Sequence, residues 1–109
     1  MQRKLTVIVS ADVIGYTAMM ERNEAGTLQR LMDNRKSIFD PHVAAHGGRI
    51  VKLMGDGALV EFGSVVSAIN CAHAIQQATE AETGTAGSDS LHYRIGITLC
   101  EVIVEGDDI

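Results

Sequence analysis

Two aspartates in apolar surroundings carry the chemistry that can be read from this chain. Asp56 sits at a Gly55-Asp56-Gly57 tip between the apolar runs 50–54 and 58–62. Asp12 interrupts a nearly continuous apolar run over residues 5–14. A carboxylate inside such a strand is costly unless it is paired or bound to a cation. Two acids on neighbouring strand ends are what two-metal phosphoryl transfer requires, and hard carboxylate oxygens suit Mg²⁺ or Mn²⁺ bridging phosphate oxygens. The carbonyl of Val13 can add a further oxygen ligand. Taken singly, each acid reads as readily as a turn or cap residue, since Asp-Gly is a favoured turn dipeptide.

Three further features bear on binding. The run Val13-Ile14-Gly15-Tyr16-Thr17 joins a strand to a helix N-terminus, where backbone N–H groups can receive phosphate and Gly15 permits close approach. Lys52 lies between Val51 and Leu53 in a strand. It is either a solvent-facing lysine on an edge strand or a donor to the edge of a base. Asp108 in the Glu105-Gly106-Asp107-Asp108 tail is either a solvated acid or a partner in the same recognition.

These residues need a scaffold, and the patterning supplies one. Residues 4–14 read as a central strand buried on both faces. A short helix over 18–22 follows, then Asn23 as the cap of a longer helix with Leu28, Leu31, Met32, Phe39 and Val43 at helical spacing. Pro41 kinks or restarts that helix, and Gly47-Gly48 ends it. The hairpin 49–62 comes next, then a helix from Ser64 with Val65, Ala68, Ile69, Ala72 and Ile75 on one face. Residues 83–90 read as a surface loop. Residues 91–104 read as a strand with Leu91, Tyr93, Ile95, Ile97 and Leu99 sharing one side. The order predicts an α+β fold: a ferredoxin-like βαββαβ sandwich, with an antiparallel sheet and helices on one face. Residues 1–109 form one domain, which stops directly after a strand and is expected to be incomplete at its C-terminus.

Composition narrows the classes. The chain has 109 residues, 46% of them apolar, enough for one core. A net charge of −5 argues against a nucleic-acid or anionic-membrane surface, and 4% aromatics with no Trp leaves few platforms for stacking bases. Cys71 and Cys100 have no CxxC spacing and read as structural thiols in a reducing compartment. No apolar run approaches the ~20 residues that span a bilayer, and no signal peptide precedes the first strand. The expected setting is cytoplasmic.

Four stretches taken together resemble the class III adenylate/guanylate cyclase catalytic domain, and most closely its bacterial adenylate cyclase branch. They are 11–17 (ADVIGYT), 46–57 (HGGRIVKLMGDG), 94–97 (RIGI) and 102–109 (VIVEGDDI). By that resemblance Asp12 and Asp56 match the aspartates that hold two Mg²⁺ or Mn²⁺ ions. Lys52 matches the residue that contacts adenine, and Asp108 the acid that pairs with it in selecting ATP. The resemblance implies conversion of ATP to cyclic AMP and pyrophosphate in a homodimer, with metal ligands from one subunit and base contacts from the other. Two positions depart from the pattern: Cys100 stands where Gly is usual, and Leu53 where a small polar residue is usual. The family's Asn and Arg that stabilise the transition state lie on a helix beyond residue 109, so the fragment alone is expected to be inactive. The alternative is a non-catalytic dimerisation or nucleotide-sensing module on the same fold.

Overall fold

The computed structural model describes residues 2–83 and 90–109. Its elements in chain order are β1 (Gln2–Val13), α1 (Tyr16–Arg22), α2 (Glu24–Asn34), a π-helical turn (Arg35–Phe39), α3 (Asp40–Ala45), β2 (Arg49–Met54), β3 (Gly57–Phe62), α4 (Val65–Thr83) and β4 (Tyr93–Val104). The four strands form one sheet in the order β2-β3-β1-β4, with every neighbouring pair antiparallel. This is the ferredoxin-like arrangement: β3 splits the β1–α–β2 unit, and the helices pack on one face.

β1 is central but is not buried on both faces. Val7, Val9, Ala11 and Val13 are buried, whereas Ser10 is exposed and Asp12 half-buried. Alternate side chains point to opposite faces, and the helices cover only one of them. On that face the β1 residues meet Val60 and Phe62 of β3, Leu31, Ile38, Phe39 and Val43 from the helical stretch, and Ala68, Cys71 and Ile75 of α4. The open face is left to polar chemistry.

The helices bury part of the stripes the apolar residues suggest, Leu31, Phe39, Val43, Ala68 and Ile75, and complete them with polar positions. In α2 and the π turn the buried positions are Thr27, Leu31, Asn34, Ile38 and Phe39, while Leu28 and Met32 are exposed. In α4 they are Ala68, Cys71, Ile75 and Thr79, while Val65 and Ile69 are exposed. The polar members are satisfied. The Tyr93 hydroxyl donates to Asn34 Oδ1 at 2.7 Å, and Asn34 Nδ2 donates to Thr79 Oγ1 at 3.1 Å. Burial pushes the Tyr93 phenol up to about 12.

Asn23 caps α2 as expected, its Oδ1 accepting from the Gly26 N–H at 3.0 Å. Pro41 restarts the helix, and the turn before it is π-helical: the Asp40 N–H bonds the Arg35 carbonyl, five residues back. A regular helix would drive the proline ring into the carbonyl four residues before it, and the wider turn relieves that clash. Gly47-Gly48 closes α3 through Gly48 N–H to Val43 C=O at 2.8 Å and Gly47 N–H to Ala44 C=O at 3.2 Å. β4 begins at Tyr93, so Leu91 is buried ahead of it, and Leu99 is exposed at 57%. Residues 84–89 of the expected surface loop lie outside the described residues. Among the described residues no helix is long and apolar enough to cross a membrane.

Candidate active site

The β1–β3 pairing brings Asp12 and Asp56 to one end of the sheet. Ala11 lies opposite Ala58, so the hairpin tip comes beside the last residues of β1. Gly55 takes φ 58°, the left-handed conformation a two-residue hairpin turn demands, and this delivers Asp56 at the second turn position. Asp56 Oδ2 then accepts the backbone N–H of Val13 at 2.9 Å. From the helical side, Arg35 Nη2 donates to the Gly55 carbonyl at 3.1 Å and lies 3.4 Å from that of Gly57. The π turn presents this arginine, and its bonds hold the carbonyls of the two glycines on either side of Asp56.

Asp12 faces the open side of the sheet. Its Oδ2 accepts from Arg94 Nη2 at 3.0 Å, across the Asp12–Arg94 register pair of β1 and β4. Its Oδ1 is buried and has no hydrogen-bond partner among the described residues. A buried acceptor without a donor is costly, and a hard cation is one species that would satisfy it. Asp56 adds to the negative field on Arg94, so the two carboxylates and this guanidinium form one charged group. Among the described residues no three His, Cys, Asp or Glu side chains cluster, so a metal here would draw further oxygens from the backbone, water or a phosphate.

The loop after β1 is narrower as an anion site than its sequence suggests. The Val13 N–H is taken by Asp56 and the Ile14 N–H by the His92 carbonyl at 2.8 Å. Gly15, with φ 70°, precedes α1, and Tyr16 and Thr17 open it, so the first N–H groups of that helix lack intrahelical acceptors.

Lys52 and Asp108 form a second group. Lys52 Nζ lies 2.7 Å from Asp108 Oδ1, which also accepts the Ile109 N–H at 2.8 Å. The lysine and then that N–H hold the Asp108 carboxyl below its ordinary range. The structure thus joins Asp12 with the Asp56 tip, and Lys52 with Asp108. Sequence reading missed Arg35 and Arg94. Neither could be found without the π turn or a register linking residues 82 positions apart.

No protein-family model matches the chain. The "Putative adenylate cyclase 3" of Rhizobium meliloti is 42% identical over 109 residues, covering 99% of this chain and 19% of that protein. The solved adenylate/guanylate cyclase/hydrolase from Silicibacter pomeroyi superposes with a TM-score of 0.88 at 41% identity, over 98% of this chain and 63% of that one. The guanylyl cyclase Cya2 superposes with a TM-score of 0.76 at 29% identity, over 92% of this chain and 56% of that one. The chain therefore spans about a fifth of the curated relative and under two thirds of the solved chains.

Proposed function

Since the chain belongs to the class III adenylate/guanylate cyclase catalytic domains, we propose that the protein carrying it is an adenylate cyclase. The ribose 3′-oxygen of ATP attacks its own α-phosphorus. The new bond closes cyclic AMP, the bond to the β-phosphate oxygen breaks, pyrophosphate leaves and the hydroxyl proton passes to solvent.

Asp12 and Asp56, with the Val13 carbonyl, would hold two Mg²⁺ or Mn²⁺ ions. Bound there, the ions would supply acidification of the 3′-hydroxyl and charge neutralisation on the phosphates. Arg94, beside the same carboxylates, adds positive charge to that end of the sheet. Gly15, Tyr16 and Thr17 offer backbone N–H groups to phosphate oxygens. Lys52 donates to an adenine ring nitrogen and Asp108 accepts from the exocyclic amine. The base pair and the carboxylate pair serve different active sites of a homodimer. Exposed Leu5, Leu53, Leu99 and Ile103 give apolar surface for a second protomer to cover. The supply of ATP places the reaction in the cytoplasm.

The buried, partnerless Asp12 Oδ1 beside the Asp56 tip carries this reading. The test is cyclic AMP formation from Mn²⁺–ATP by the protein containing this domain, with Asp12→Ala and Asp56→Ala alongside. Each variant is expected to lose at least ~10²-fold in rate. Equal turnover in wild type and variants, or cyclic GMP as the preferred product, would overturn it.

A further inference from the structure

Arg49 precedes Lys52 by three positions on β2, and in a regular strand such residues face opposite sides. β2 is not regular. Its register steps from Ile50 opposite Val60 to Lys52 opposite Leu59, leaving Val51 as an extra residue. The bulge turns Lys52 to the face that Arg49 already occupies. On β3, Glu61 opposite Arg49 and Leu59 opposite Lys52 are both on the open side, paired in turn with Ile8 and Ser10 of β1.

The turn after β4 comes back to that same face. Arg49 Nη1 donates to the Asp107 carbonyl at 2.9 Å, and its Nη2 donates to Glu61 Oε1 at 3.1 Å. Glu61 is only 8% exposed, and its other oxygen lies 2.8 Å from Lys4 Nζ. The guanidinium fork is therefore held by a buried acid while its second arm grips the turn. The turn is itself rigid: Glu105 and Asp108 exchange backbone bonds of 3.0 and 2.9 Å, and Gly106 takes φ 61°. Fixing the Asp107 carbonyl thus fixes where the Asp108 carboxylate lies.

We propose that Arg49, oriented by Glu61 and brought to one face with Lys52 by the Val51 bulge, is a positioning residue that holds the 105–108 turn so that Asp108 meets Lys52, and thereby sets base discrimination. The last clause rests on the nucleotide reading above; the fastening does not.

Two readouts separate them. The first is the NMR titration of the Asp108 carboxyl in wild type, Arg49→Met and Arg49→Lys. Asp108 is expected to titrate below the ordinary carboxylate range in wild type and to rise toward it in Arg49→Met, though its own side chain loses no partner. Arg49→Lys, whose single ammonium cannot span both acceptors, recovers the wild-type value only in part. An unmoved Asp108 in a folded Arg49→Met overturns the proposal. Should that variant not fold, Gly106→Ala tests the same link from the turn, where an added Cβ meets nothing within 4 Å but the positive φ is strained. It should release Asp108 likewise, and an unmoved titration there overturns the proposal too. The second readout is the ATP-over-GTP preference of the protein carrying this domain, expected to fall about tenfold in Arg49→Met with Mn²⁺ affinity unchanged. An unchanged preference overturns the discrimination role. A wild type that takes neither nucleotide refutes the cyclase reading instead, while the titration still decides the fastening.

Discussion

The Val13 backbone N–H donates to Asp56 Oδ2 at 2.9 Å, across 43 residues of sequence. This bond ties the end of a central strand to the tip of a hairpin and sets Asp56 next to Asp12. On the proposed reading, Asp56 Oδ1 and the buried, partnerless Asp12 Oδ1 are the oxygens a cation would take. The arrangement depends on a support outside the sheet, the Arg35 guanidinium on the carbonyls of the two glycines either side of Asp56.

Arg35→Ala should therefore weaken Mn²⁺ binding without removing a ligand. Loss of a group that orients a metal ligand commonly costs about 10–100-fold in affinity. Calorimetric titration measures the loss, and faster hydrogen exchange at the Val13 amide should accompany it. Wild-type affinity together with wild-type exchange would mean that the hairpin tip holds itself.

Glu61 should govern acid stability. Lys4, then Thr6 and Arg49, hold its carboxyl below 4.5 against the opposing effect of burial. A carboxylate depressed in the folded state stabilises fully above its unfolded value, and this is lost as pH falls through the folded one. Thermal midpoints of wild type should thus fall with pH below about 4.5, and Glu61→Gln should flatten that decline. At pH 7 the variant should be less stable by about 1–2 kcal/mol, since Lys4 and Arg49 are roughly half exposed and recover water. A variant with the wild-type acid slope would show that the depression arises elsewhere.

Much of this was legible in the sequence because it is local. The Gly-Asp-Gly tip, the Asn23 cap, the break at Pro41 and the Gly47-Gly48 stop each follow from one or two residues and their backbone demands. The strand and helix order follows from apolar periodicity, and the Asp12, Asp56, Lys52 and Asp108 assignments came from motifs. What could not be read is non-local. Asn34 and Thr79 face inward because Tyr93, far along the chain, bonds Asn34 and Asn34 in turn bonds Thr79, while Thr27 donates to the Met19 carbonyl, so the buried stripes depart in part from the apolar ones. β1 looks doubly buried because nothing in its composition says that helices cover one face only. Arg94, Arg35 and Arg49 act through register, a π turn and a bulge, none of which has a signature in composition.

Base choice should follow hydrogen-bond polarity. Guanine presents a carbonyl and a ring N–H where adenine presents an amine and a bare nitrogen. Lys52→Glu combined with Asp108→Cys, in the protein carrying this domain, should move preference from ATP toward GTP. Each mispaired polar group costs about 1–3 kcal/mol, so a shift of at least tenfold in the rate ratio is expected. An unchanged ratio would make Lys52 a surface lysine that happens to pair with Asp108.

The most direct measurement is a calorimetric titration of Mn²⁺–ATP into wild type, Asp12→Ala and Asp56→Ala. Two carboxylates that share a metal site must each be needed, so saturable heat is expected from wild type and a loss of at least ~10-fold in affinity from either variant. Equal heats and equal affinities in all three proteins would contradict the assignment of Asp12 and Asp56 as metal ligands.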